Sequence, residues 1–127
     1  MAETDFLVLA VPLTAETRGM ISAAMLAVAK PGQIVINIAR GPVVDEEALI
    51  SALRSGKIGG AALDVFCTEP LPESSPLWEL ENVLLSPHNA DKTADFRHKS
   101  TRFFTENCKR FLAKEELLCQ VDVSKGY

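Results

Sequence analysis

Four short runs of apolar residues, at 6–11, 33–39, 59–64 and 82–85, alternate with segments carrying helix signals, and this rhythm narrows the possible folds sharply. Phe6-Leu-Val-Leu-Ala-Val11 is apolar throughout, as in a strand buried on both faces, and Pro12 stops it by withdrawing an N–H. Ser22 is placed to cap a helix carrying Met25, Leu26 and Val28, which Pro31 and Gly32 close. The second strand is expected over 33–39. Asp45 then caps a helix with Leu49, Ile50 and Leu53 on one face, with Glu46 and Glu47 near its positive dipole end and Gly56 at its close. Gly59-Gly-Ala-Ala-Leu-Asp64 reads as a third strand whose small residues invite close approach of a neighbouring backbone. Strand, helix, strand, helix, strand implies an α/β fold: a parallel sheet flanked by helices, with right-handed crossovers.

A loop, a short strand at 82–85 and a long helix over about 93–112 complete the chain. Phe96, Phe103, Phe104, Cys108, Phe111 and Leu112 recur at three- and four-residue steps, so one helix face is apolar and needs a partner. Its own sheet and a second domain or subunit both satisfy that need. At 127 residues, 47% apolar and 24% charged, the chain is sized for one continuous domain with a buried core. A formal charge of −4 offers no footprint for nucleic acid, and the basic residues between Lys92 and Arg110 read as a solvated helix face. Cys67, Cys108 and Cys119 have no paired or metal-like spacing, which points to free thiols in a reducing, cytoplasmic compartment. The acidic start and the brief apolar stretch after it match neither a signal peptide nor a membrane span.

Three polar residues stand where apolar runs stop: Arg40 after the second, Glu69 beyond the third and His88 after the fourth. In an α/β sheet, ligand and catalytic groups gather outside the carboxyl ends of the strands, so three residues distant in sequence can converge there. Arginine supplies a carboxylate clamp, glutamate a carboxylate and histidine a proton shuttle. His98, among basic residues on the helix, reads as solvated, and Cys67 lacks a base that would make it a nucleophile.

Ala10-Val-Pro-Leu-Thr14 with Thr17-Arg-Gly-Met-Ile21, Lys30-Pro-Gly32, Asn37-Ile-Ala-Arg-Gly-Pro-Val-Val-Asp-Glu46, Ala61-Ala-Leu-Asp-Val-Phe66 with Glu69-Pro70, and Ser86-Pro-His88 together resemble the D-isomer-specific 2-hydroxyacid dehydrogenases. The resemblance covers nearly the whole chain. It implies the second half of a doubly wound, Rossmann-like nucleotide-binding domain over 1–127, including a carboxyl-terminal helix and tail from about 93, where Val121-Asp-Val-Ser-Lys-Gly-Tyr127 looks like the family's end. That family carries a substrate-binding region and a GxGxxG turn before the matched segment. No GxGxxG occurs here, so a truncated product, a partial gene model or an alternative transcript, bearing only the nicotinamide side of the site, is expected.

The resemblance implies that Arg40 holds the substrate carboxylate and polarises its keto oxygen, His88 exchanges a proton with the substrate oxygen, and Glu69 fixes the imidazole tautomer. Asp64 would meet the nicotinamide carboxamide, and Val11, Pro12, Thr17, Ile38, Ala39, Arg40, His88 and Ala90 would complete the contacts with NAD or NADP. The implied activity is hydride transfer between that cofactor and a small 2-hydroxy or 2-oxo acid such as glyoxylate or hydroxypyruvate. After the histidine the family often places glycine, whereas Asn89-Ala90-Asp91 here adds a negative charge near the site. A noncatalytic module, pairing with another copy or with a full-length subunit, is the competing expectation.

Overall fold

Helix starts and strand pairing follow from local chemistry in the computed structural model, which describes residues 1–125. Gly126 and Tyr127 of the expected tail lie outside the described residues. The chain divides into two compact units, Met1–Asn89 and the residues from Ala90 onward.

In the first unit, strands β1 (Phe6–Leu9), β2 (Ile34–Asn37), β3 (Gly60–Leu63) and β4 (Val83–Leu85) form one sheet in the order β1-β2-β3-β4, with every neighbouring pair parallel. Leu9 pairs with Asn37, Asn37 with Leu63, and Leu63 with Leu85, so all four carboxyl ends finish level along one edge. Helix α1 (Ala23–Ala27) begins where the Ser22 side chain accepts from the Met25 N–H. Helix α2 (Glu46–Arg54) begins where Asp45 accepts from the Ala48 N–H, 3.1 Å away. Each cap satisfies a backbone donor that the first helical turn leaves over.

The core lies on one face of the sheet. Leu9, Val35, Ala61 and Leu63 join Leu26 of α1 and Leu49 and Leu53 of α2 in a single buried cluster. The glycines just before and at the start of β3 serve the expected close approach: a Cβ on Gly59 would press on the Gly32 backbone, and one on Gly60 on the Asn82 carbonyl.

The structure corrects the expectation for the first strand. It ends at Leu9, before Val11, and is not buried on both faces: Phe6 and Val8 are exposed. As the terminal strand in the order it has a single neighbour, and the unit's helices cover only the opposite face. Two short 3-10 turns, Gly41–Val43 and Pro76–Glu79, had no counterpart in the sequence reading.

The second unit contains α3 (Phe96–Ala113), which starts three residues later than expected because Thr93 and Asp95 are tied to each other in the preceding turn, 2.8 Å apart. Lys114 closes it in the left-handed region at φ 58°. Asn107 holds the returning segment, accepting from the Leu118 N–H at 2.8 Å. No residue of α3 is buried, and Phe104, Phe111 and Leu112 are exposed.

Candidate active site

Because the strand ends are level, the residues that follow them lie in sequence along one edge of the sheet. After β1, the Thr17 hydroxyl donates to the Pro12 carbonyl at 2.7 Å and closes the loop containing both. That loop is tied to the one after β2, where the Gly19 N–H meets the Pro42 carbonyl at 2.8 Å. Val11 is half-buried against the core.

Beyond β2, the chain is turned by Asn37. This buried side chain accepts from the Ala39 N–H at 3.0 Å and donates to the Arg40 carbonyl at 3.2 Å. Ile38 is exposed and Ala39 buried, while the exposed Arg40 gives one guanidinium N–H to the Ala39 carbonyl at 2.6 Å. Gly41 then passes directly against the backbone of Phe66 and Cys67, so close that any Cβ would overlap the Phe66 carbonyl. Only glycine permits this approach, which brings the Arg40 loop against the loop that carries Glu69.

Glu69 and His88 meet. The histidine Nδ1 lies 2.7 Å from Glu69 Oε2, and Glu69 Oε1 accepts from the Phe66 N–H at 2.9 Å. The His88 bond, then the Phe66 N–H, and last the positive Arg40 hold the Glu69 carboxyl below its ordinary 4.5. An ionised carboxylate only accepts, so Nδ1 carries the proton and Nε2 is the nitrogen left for chemistry. His88 itself sits at φ 50°, in the left-handed region that a non-glycine residue adopts only when its surroundings enforce it.

Asp64 follows β3 and is 4% exposed. Its Oδ1 accepts from the Ser86 hydroxyl at 2.5 Å and from the Asn89 N–H at 2.9 Å. Ala90 is the first residue of the second unit. A groove of about 690 Å³ opens beside the dyad, where Glu69 and His88 stand among Phe66, Leu71, Trp78 and Leu85. An apolar groove holding a few convergent polar groups suits a small organic ligand.

Nothing in the sequence assigns a role to Ser86, Gly41 or Trp78. Ser86 was visible as the residue two before the histidine, and Gly41 as the glycine after the arginine, but nothing in either pattern specifies what it touches. Cys67 is exposed, and partial burial followed by the nearby Glu46 pushes its thiol up, the opposite of an activated nucleophile. Among the described residues no cluster of His, Cys, Asp and Glu could hold a metal ion, and no helix is long and apolar enough to cross a membrane.

Residues 1–90 match the family model described as D-isomer specific 2-hydroxyacid dehydrogenase, NAD binding domain. A glyoxylate/hydroxypyruvate reductase B of Pectobacterium carotovorum is 47% identical over 115 residues, spanning 91% of this chain and 36% of that protein. A D-3-phosphoglycerate dehydrogenase of Mycobacterium leprae is 42% identical over 126 residues, 99% of this chain and 24% of that protein. The crystal structure of a D-isomer specific 2-hydroxyacid dehydrogenase from Xanthobacter autotrophicus Py2, in complex with NADPH and MES, aligns with a TM-score of 0.92 at 49% identity, covering 99% of this chain and 51% of that one. The chain thus spans well under half the length of these two curated relatives. With a parallel sheet flanked by helices, as in the Rossmann-like domain of its structural neighbours, and a family match over more than half its length, the chain belongs to the D-isomer specific 2-hydroxyacid dehydrogenase family.

Proposed function

We propose that this chain forms the nicotinamide side of an oxidoreductase that acts on a small 2-hydroxy or 2-oxo acid of the glyoxylate or hydroxypyruvate kind, with NAD or NADP. The single observation that carries the reading is the Glu69–His88 bond of 2.7 Å at the carboxyl edge of a parallel sheet, with the Arg40 charge acting on the same cluster.

The residues present fit the nicotinamide end of such a cofactor: Pro12 and Ile38 present exposed surface beyond β1 and β2, beside the Arg40 backbone. Val11, Thr17, Ala39, Asp64, His88 and Ala90 are the further residues assigned to that end. When bound, the nicotinamide supplies or receives the hydride. In reduction, His88 gives its Nε2 proton to the oxygen that the carbonyl leaves behind, and in oxidation it takes that proton back. Glu69 keeps Nδ1 protonated and so leaves Nε2 facing the reaction. Arg40 offers a planar fork suited to a carboxylate, which would orient the acid and draw electron density from its keto oxygen.

A second reading, favoured by the exposed Phe6, Val8 and Leu84 on one sheet face, is a noncatalytic module that pairs with another copy of itself. The same surface supports homo-oligomerisation of an active form, and three free thiols support a cytoplasmic setting.

Glyoxylate-dependent oxidation of NADH or NADPH decides between them. The enzyme reading expects turnover that His88→Ala abolishes and that Arg40→Lys cuts mainly through a raised KM for the acid. Absence of turnover at every protein concentration, with the fold intact, would leave the pairing module.

A further inference from the structure

We propose that Asp64 and Ser86 are positioning residues for His88: Asp64 holds the Ser86 side chain before the histidine and the Asn89 backbone after it, and so keeps the imidazole against Glu69. The proposal rests on the reading of His88 as the proton donor and adds what keeps that group in place.

The loop from Ser86 to Asn89 leaves the end of β4, where the Ser86 N–H extends the sheet by donating to the Leu63 carbonyl at 3.0 Å. Two residues later the chain turns through the left-handed region at His88, φ 50°. A β-carbon crowds the backbone there, so an isolated loop would relax to an extended conformation and carry the ring elsewhere. One acceptor opposes that relaxation from both sides. Asp64 Oδ1 receives the Ser86 hydroxyl at 2.5 Å, two residues before the histidine, and the Asn89 N–H at 2.9 Å, one residue after it. The acceptor is itself fixed, since Asp64 is buried and its own N–H donates to the Asn37 carbonyl at 3.0 Å. A carboxyl oxygen can take two donors at once, and its burial keeps water from replacing either.

The test uses the ring nitrogens of the chain's two histidines, His88 and His98, observed by NMR, with His98 as internal reference. Wild type is expected to show a low-field proton on His88 Nδ1. Ser86→Ala should lose it and move the His88 nitrogens to the averaged positions of a solvated ring. Ser86→Thr, which keeps the hydroxyl, should restore the signal. Asp64→Ala should match or exceed the serine variant, and if it fails to fold, Ser86→Ala carries the test alone. A folded Ser86→Ala that keeps the wild-type signal overturns the proposal, and so does a Thr variant that restores nothing. NADH oxidation is scored separately, so a signal that follows the grip in a chain without turnover sinks the enzymatic reading and leaves the grip standing.

Discussion

On the helix-covered face of the sheet, Leu9, Val35, Ala61 and Leu63 share a buried core with Leu26, Leu49 and Leu53, whereas on the opposite face Phe6, Val8 and Leu84 are 65%, 55% and 75% exposed. The two faces belong to the same four strands and differ by one residue of register. The finished face also supports the candidate site. Leu9, Asn37 and Leu63, the last residues of β1 to β3, are buried on it, and the chain leaves each of them toward Arg40, Asp64 or the loop of Pro12. A candidate site at the sheet edge can therefore be held in shape by one completed face while the other stays bare.

The sharpest way to break this contrast is to make the same deletion on each face. Leu49→Ala should cost about 3 kcal/mol of stability, from lost burial and the cavity left behind. Leu84→Ala should cost less than about 0.5 kcal/mol. Urea unfolding of both variants measures the difference, and equal losses would erase it. Next in size, Gly41→Ala should cost about 2 kcal/mol by forcing the Arg40 loop away from Phe66. The His88 Nδ1 proton signal should weaken with it, because Phe66 and Glu69 share a hydrogen bond.

A smaller effect is expected from Glu69. Its carboxyl is held below 4.5 in the folded chain, so its contribution to stability is complete above that value and disappears as pH falls through the lower folded one. Thermal unfolding of Glu69→Gln should lie below wild type at pH 6 to 7, with the two curves merging in acid. A gap that persists unchanged at pH 2 to 3 would mean that the ionised carboxylate is not its source. The smallest change in folding energy, Leu84→Lys, addresses the open face alone. It should leave the unfolding midpoint nearly unmoved and reduce any concentration-dependent association seen by sedimentation.

Much of this architecture was legible because it is written in local signals. Ser22 and Asp45 cap helices where their side chains can reach a free N–H, and the apolar runs mark each strand to within about two residues. The mistake over β1 has a plain cause. An apolar run records that a strand can be buried, but whether a helix covers it depends on sheet order, which six residues do not encode. Arg40, Glu69 and His88 were visible as polar residues at strand ends. The Gly41 contact and the Ser86–Asp64–Asn89 grip were not, since each depends on how far one backbone passes from another.

Under the proposed function the carboxyl edge of this sheet holds a nicotinamide, which backbone amide NMR during a titration with NADH would reveal residue by residue. The expected result is saturable shifts confined to the residues beyond the strand ends, at Leu13 to Thr17, Ile38 to Arg40, Asp64 and His88, with Phe6, Val8 and Leu84 unmoved. Shifts centred on the bare face, or none along the carboxyl edge at saturating NADH, would contradict it.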